Sequence, residues 1–388
     1  MLGSLPPLRA LSSYCLEFSR AMADLVRVRF LSFRKIYPGF LYPGGKLKDD
    51  YTFPECSHPQ LSIRRFLTWY NPFTWFIEGF FTKADLLHAQ WWSLPLFPVY
   101  ACICIGFRLR RKPVVLTVHN VLPHESSRLF TVASGLLFRL GSHFLVHSKE
   151  NKRQLIRQYD IAPCAITVIP HGPLDFHVSV KRTRSEARQQ LNIKPQEKTI
   201  LIFGAIRPYK GIQTAIAAFG KIQKTLPDTR LVIAGKRWED WTPYEDQIKK
   251  LKLENRIDTY PGYIPSDLVS LYFQAADLVL LPYHHFDSQS GVGAIAVSFC
   301  KPMIVSNVGG LPGLVGNPGS VVPPKDETAL ANAVIRSLSD PNRLTIMAKE
   351  TEGVAAAIAW PAIAKTVLSV YKNLVNDTGG EITQNDSL

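Results

Sequence analysis

Residues Thr199 to Gly211, TILIFGAIRPYKG, constrain this chain more than any other stretch. Ile200 to Phe203 form an apolar strand, Gly204 permits a tight turn, and a helix begins at Ile212. A buried strand running straight into a helix is the building unit of a parallel sheet, whose strands need a crossover to return. Arg207 and Lys210 stand three apart, so within one turn both can reach a single anion, and the helix N-terminus adds partial positive charge. Taken alone, the segment is either a diphosphate cradle or an ordinary β-α turn carrying two solvated cations.

The remainder of the C-terminal half repeats the unit. Strands are expected at 199–204, 229–234, near Ile257, at 277–282 and at 302–306. Helices are expected over 211–225, 243–253 and 266–275, after Ser290, and over 326–338. Buried strands alternating with such helices predict a doubly wound parallel sheet. The N-terminal half is less regular but similar, with strands at 26–33, 85–89, 114–118, 143–147 and 166–169. Gly3-Ser4-Leu5-Pro6-Pro7 reads as a strand-to-helix loop ahead of a helix over 12–24, yet only Met1 and Leu2 precede it. The first strand is therefore expected to be lost or encoded upstream, leaving an open position in the sheet.

A length of 388 residues suits two α/β domains, and the 46% hydrophobic content describes a globular chain. The formal charge of +14 favours an anionic partner: nucleic acid, an acidic membrane surface or a phosphorylated substrate. The six cysteines show no metal-ligand spacing, and their apolar surroundings point to reduced core thiols of a cytoplasmic protein. The opening MLGSLPPLR lacks the apolar run of a secretory leader, so none is expected. The apolar stretch Leu94–Phe107 is too short to span a bilayer and reads as a buried helix.

Five segments together resemble the retaining nucleotide-sugar glycosyltransferases of the GT-B fold, family 4 (glycosyl transferases group 1): FGAIRPYKG, LVIAGK, GYIPSDLVSLYFQAADLVLLPY, SGVGAIAVSFCKPMIVSNVGGLP and GSVVPPKDETALANAV. The resemblance runs from GSLPP to about Tyr371 and implies two Rossmann-like domains facing a cleft. These are an acceptor-side domain at 1–172 and a nucleotide-sugar domain at 198–355. A linker at 173–197, a helix at 356–375 returning to the first domain, and a frayed tail at 376–388 complete the expected organisation.

The same resemblance assigns roles. Arg207 and Lys210 are expected to hold the donor diphosphate and stabilise the leaving group without a metal. Gly3, Gly204, Gly262, Tyr263, Ser290, Gly291 and Val292 would line the donor, with Gly262 and Tyr263 beside the nucleobase. His119, at the end of the strand VVLTV, would stand near the donor sugar, and His124 and Glu125 near the acceptor. His147-Ser148 reads as a helix cap. No cofactor or metal is expected; the nucleotide-diphosphate sugar is itself the donor substrate.

Some positions depart from the family pattern. Two glutamates eight apart are common before Lys301-Pro302; here they are Asp287, kept as a catalytic candidate, and Ile295, which cannot bond a ribose hydroxyl. A subgroup with Ser-Gly-Val shows the same apolar replacement. The usual arginine of the glycine loop is Ala205, with Arg207 expected to substitute from two residues on, and Gly313 stands where a glutamate often follows GGLP.

Residues 61–107 interleave aromatics and cations: Arg64, Arg65, Trp69, Trp75, Phe76, Trp91 and Trp92. This mixture suits an anionic bilayer, sugar stacking, or plain core packing beneath a basic face. RNA binding ranks below these, because no nucleic-acid motif accompanies the charge. The expected activity is sugar transfer with retention to a lipid-linked or polysaccharide acceptor, in the cytoplasm or on the inner membrane face. Two alternatives stay open: a soluble transferase acting on a small sugar or polyol phosphate, and a non-catalytic homologue that binds a nucleotide sugar or a partner.

Overall fold

The computed structural model describes residues 1–9, 11–36, 49–121, 128–178, 180, 182–286, 289–377 and 379. The chain divides into two compact units: Met1–Gly172 with the segment from Ala359 onward, and Pro173–Ile358.

The second unit is a six-stranded, all-parallel sheet built from β7 (Lys198–Phe203), β8 (Thr229–Gly235), β9 (Ile257–Pro261), β10 (Leu278–Leu281), β11 (Met303–Ser306) and β12 (Val321–Val322). The spatial order is β12-β11-β10-β7-β8-β9. The chain thus starts in the middle, winds outward one way to β9, then crosses to β10 and winds the other way. The direction of winding reverses between β7 and β10, and connections leave that point to opposite faces, which opens a crevice at the strands' carboxyl ends. Its helices are α6 (Arg184–Gln190), α7 (Ile212–Thr225), α8 (Thr242–Lys250), α9 (Val269–Ala275), α10 (Gly291–Ser298), α11 (Glu327–Ser339) and α12 (Pro341–Ala357). Ile216, Phe219 and Ile222 of α7, spaced three apart, bury one face beside Leu330 and Val334 of α11, spaced four apart, as helical periodicity requires.

The segment expected to be a linker is instead part of this unit. A capping box at Thr183 and Glu186 starts α6, which packs against α9. From α6 the Arg188 guanidinium reaches Asp277 at 2.7 Å and the carbonyls of Pro195 and Glu197, each at 2.8 Å. Asp277 in turn accepts the Thr199 N–H that opens β7. Polar, basic composition concealed this segment because the carboxylate that pairs with buried Arg188, Asp277, lies 89 residues away in sequence.

The first unit contains β1 (Val28–Lys35), β2 (Leu61–Thr68), β3 (Leu87–Trp91), β4 (Val114–Val118), β5 (His143–Val146) and β6 (Ile166–Val168), all pairing in parallel. Strand β2 was not anticipated, since the exposed run Arg64-Arg65-Phe66 hides any alternation. Its helices are α1 (Ser12–Ala23), α2 (Pro72–Phe81), α3 (Phe97–Leu109), α4 (Arg128–Phe138), α5 (Lys149–Tyr159) and α13 (Trp360–Asn376). α3 lies where a buried helix was expected around Leu94–Phe107, but only one face is buried: Val99, Ile103 and Phe107 enter the core while Ile105 and Leu109 are exposed.

The sheet position expected to be open is spanned by Leu2. Its N–H donates to the His88 carbonyl at 2.8 Å, its own carbonyl accepts from Gln90 at 2.9 Å, and Leu31 bonds the Met1 carbonyl at 2.7 Å. One fully buried residue thereby bridges β1 to β3. Next to it a cavity of about 450 Å³, lined by Arg27, Val28, Arg29, Asp85, Leu86 and Leu87 among others, separates the starts of these two strands.

Residues 341–376 are long and apolar enough to cross a membrane as one helix. They form two. Ala359 is extended, Pro361 follows at the start of α13, and α13 buries Trp360, Ile363, Val367 and Tyr371 within the first unit while packing on α1. Cys15 and Cys104 are buried, and burial pushes each thiol up to about 12, as inert core thiols require; Cys164, by contrast, is exposed.

Replacing Arg188 by Met should destabilise the second unit by about 3–5 kcal/mol, because Asp277 loses its buried partner and keeps only the half-exposed Arg184 and the Thr199 N–H, while the carbonyls of Pro195 and Glu197 lose a donor. Urea denaturation followed by tryptophan fluorescence measures this, and an unchanged midpoint would remove Arg188 from the account.

Candidate functional site

At the carboxyl end of β7 the chain turns at Gly204, whose φ of +92° suits glycine. A Cβ there would meet Lys210 Nζ and Val292 Cγ2, each at 2.9 Å. The loop therefore lies directly beneath a lysine and beside α10. Arg207 precedes a 3-10 turn over Pro208–Lys210, and Gly211, at φ +67°, starts α7. A side chain on Gly211 would run into the Pro282 carbonyl after β10. These two glycines let β7 and β10 approach closely at the point where the winding reverses.

Lys210 is only 5% exposed. Its Nζ donates to the Phe203 carbonyl at 3.2 Å and lies 5.5 Å from the centre of the Tyr283 ring. Burial, with the Arg207 charge as a smaller contribution, lowers its ammonium to about 7. A cation held so dry strongly favours a second charge of opposite sign. The Arg207 guanidinium carbon lies over the ring of Trp238, which follows β8, 3.8 Å from its centroid.

Ser290 caps α10, accepting the Gly293 N–H at 3.2 Å, and its hydroxyl lies 3.1 Å from the Tyr283 hydroxyl. The N–H groups of Gly291 and Val292, in the first turn, have no partner inside the helix. Lys210, Arg207, Gly204, Ser290, Gly291 and Val292 are thus assembled at one strand edge: a positive pocket floor with helix N–H groups beside it. Gly262 and Tyr263 follow β9, two strands away; the Gly262 N–H bonds the Gly235 carbonyl at 3.2 Å, and Tyr263 is part-exposed. Ile295 is buried on α10, where an unpaired carboxylate would be costly. Asp287, His124 and Glu125 lie outside the described residues.

In the first unit His119 stands at the end of β4 as expected, but inside a ring cluster. Its Nε2 lies 2.8 Å from Gln90 Oε1, and its Nδ1 lies 3.3 Å from His147 Nε2. Both ring nitrogens are therefore engaged by protein. Tyr14 of α1 touches the rings of His119, His147, His171 and Trp360 at 4.8 to 5.4 Å. The buried hydroxyls of Tyr14, Ser4 and Ser12 have no hydrogen-bond partner among the described residues. Gly3 packs against Gln90, Phe30 and Cys15, and its N–H is taken by the Leu31 carbonyl. Ser148 caps α5, whereas His147 points inward.

Burial lowers the histidines: His88 and His147 to about 3, His171 to about 4, and His119 well below its ordinary value. Among the described residues no group of His, Cys, Asp or Glu forms a metal-binding set. Tyr14, Gln90, His171, Trp238 and Tyr283 were not anticipated as site residues. Trp238, Tyr283 and His171, each two or three residues past the end of a strand, are the ones a strand-end rule would have found.

Comparison with known proteins places this geometry. Residues 11–173 match the model for Glycosyltransferase Family 4, and residues 183–353 match that for Glycosyl transferases group 1. The chain belongs to this group of glycosyltransferases, and its two Rossmann-like units are those of the GT-B fold. A D-inositol 3-phosphate glycosyltransferase of Segniliparus rotundus is 26% identical over 315 residues, covering 75% of this chain and 66% of that protein. Sucrose-phosphate synthase from Thermosynechococcus elongatus superposes with a TM-score of 0.71 at 21% identity, over 95% of this chain and 94% of its own. Anabaena HepE in complex with UDP-glucose gives 0.70 at 18%, over 96% and 98%.

The histidine cluster carries a pH prediction. Each ring binds a proton more readily in the unfolded chain than in the folded one. Stability is therefore fully present above pH 6.5 and lost as pH falls through 6.5 towards 4, by about 2 kcal/mol per buried ring at pH 5. Thermal melts between pH 7.5 and 5 should show this loss, and His147→Gln should flatten it; a melting temperature indifferent to pH would contradict the cluster's neutrality.

Proposed function

We propose that this chain transfers a sugar from a nucleotide-diphosphate sugar to an acceptor, with retention of anomeric configuration and without a metal ion. The observation that carries the reading is the dry ammonium of Lys210 beside Arg207 and the α10 N-terminus, at the switch point of the sheet. Transfer leaves negative charge on the departing phosphate. Fixed cations and helix N–H groups stabilise that charge without having to reorganise, which lowers the barrier. Leaving-group assistance of this kind also allows attack from the same face, so no separate base is required, in keeping with the neutral, engaged state of His119.

The acceptor in this reading is a lipid-linked or polysaccharide intermediate at the inner face of the membrane. A second reading, a soluble polyol phosphate acceptor, is favoured by the D-inositol 3-phosphate glycosyltransferases among the relatives. UDP-glucose is the first donor to test, since the fold neighbour HepE binds it. Gly262 and Tyr263 are assigned to the base, and Ile295 replaces any acidic grip on the ribose with an apolar contact.

Donor turnover should survive chelator and fall at least about a thousandfold in the double variant Arg207→Ala, Lys210→Ala, with the melting curve retained. Turnover at the wild-type rate in that variant would displace the donor site from this loop.

Lys210 also links binding to pH. Bound diphosphate favours the protonated ammonium, so at pH 8 binding takes up a proton, and affinity for UDP weakens as pH rises through 7. Titration calorimetry in buffers of different ionisation heat measures the uptake; Lys210→Arg should abolish it.

A further inference from the structure

α2 is built inside out. Its residues Phe73, Phe76, Ile77, Phe80 and Phe81 recur at i, i+3, i+4, i+7 and i+8 and so form one helical face. That face points outward: Phe73 is 76% exposed and Phe81 67%, with Phe76 and Ile77 also exposed. The buried face carries Thr74, Glu78 and Gly79. On that face Glu78 is ion-paired with Arg64 at 2.6 Å and accepts the Thr82 hydroxyl at 2.6 Å, and Gly79 lies against Gly106 of α3.

A helix packed only for its own domain would turn the aromatic side inward. The neighbouring helices also expose apolar side chains. α3, which packs against both α2 and α4, exposes Ile105 and Leu109, and α4 exposes Leu129, Val132 and Leu136.

Charge selects the occupant. Between residues 61 and 112 the chain has seven cations and two acids. The acids, Glu78 and Asp85, are paired with Arg64 and Lys112. Lys83, two residues past α2, and Arg108 and Arg111, in the last turn of α3 and just past its end, are exposed as well. Apolar rings bordered by lysine and arginine fit the boundary between headgroups and acyl chains of an anionic bilayer, where rings enter the apolar layer and cations remain with the phosphates. A protein partner of ordinary surface composition would leave those cations unmatched.

We propose that the outward face of α2, extended by α3 and α4, docks the first unit on an anionic lipid surface. The proposal deepens the lipid-linked acceptor reading and rests on it for its purpose, but it is measured separately. The full chain should co-sediment with phosphatidylcholine vesicles containing about a third phosphatidylglycerol and much less with phosphatidylcholine alone. Raising salt from about 0.1 to about 0.5 M should weaken but not abolish binding, since the ring contribution is not screened.

The triple variant Phe73→Ser, Phe76→Ser, Phe81→Ser should lose at least about tenfold in vesicle affinity while keeping UDP binding and donor hydrolysis. In the wild type, lipids carrying a quencher at mid-chain should quench emission from Trp69 and Trp75, a readout that needs no variant to fold. Absence of wild-type binding to anionic vesicles overturns the proposal, as does a triple variant that binds equally well. A concentration-dependent dimer that the triple variant makes monomeric also overturns it, assigning the face to a second copy. Donor turnover that persists without vesicle binding would leave the transferase reading standing and this one fallen; loss of turnover with vesicle binding intact would do the reverse.

Discussion

The desolvation of one lysine organises the second unit. Lys210 can be buried at the end of β7 only because Gly204 lacks the carbon that would meet its ammonium, and because Gly211 lets the chain pass under the Pro282 carbonyl. The cost of drying the charge is visible in its lowered basicity. Charge poised in that way is the property a diphosphate site needs. The sheet order makes the arrangement possible: β7 and β10 are neighbours in space while 74 residues separate the end of one from the start of the other, so the Gly204 loop and the α10 N-terminus converge from distant parts of the chain.

The first unit repeats the architecture with opposite electrostatics. Its strand ends carry a cluster of neutral imidazoles packed on Tyr14 of α1, not a dry cation. The sheet is held at its weakest join by Leu2, whose backbone serves both neighbours at once. What it presents to solvent is the inverted helix α2, whose polar side is neutralised by Arg64 and thereby frees the aromatic side to face outward. The two units are thus alike in topology and unlike in what they hold, which is expected where fold and site are separately encoded.

Much of this was legible in the chain. Apolar strands with helical spacers announce a parallel sheet, and the glycine-cation loop announces its charged end, because both depend on local periodicity and turn chemistry. The residues that escaped share a physical character. Arg188 looked like part of a solvated linker until Asp277 was brought to it. Tyr14 and His171 belong to no sequence motif and meet around His119 only in the folded chain. β2 disguised itself through one exposed face. Each depends on partners remote in sequence, which no local pattern records.

The sequence by itself determined the class of fold, the two-unit order and the position of the cationic loop, since these follow from alternation, glycine placement and charge spacing within short windows. Only the tertiary structure decided that Lys210 is dry while Arg207 rests on Trp238, that His119 is engaged at both nitrogens, and that α2 turns its aromatic face outward. Burial and orientation are properties of what packs against a residue, and those neighbours arrive from elsewhere in the chain.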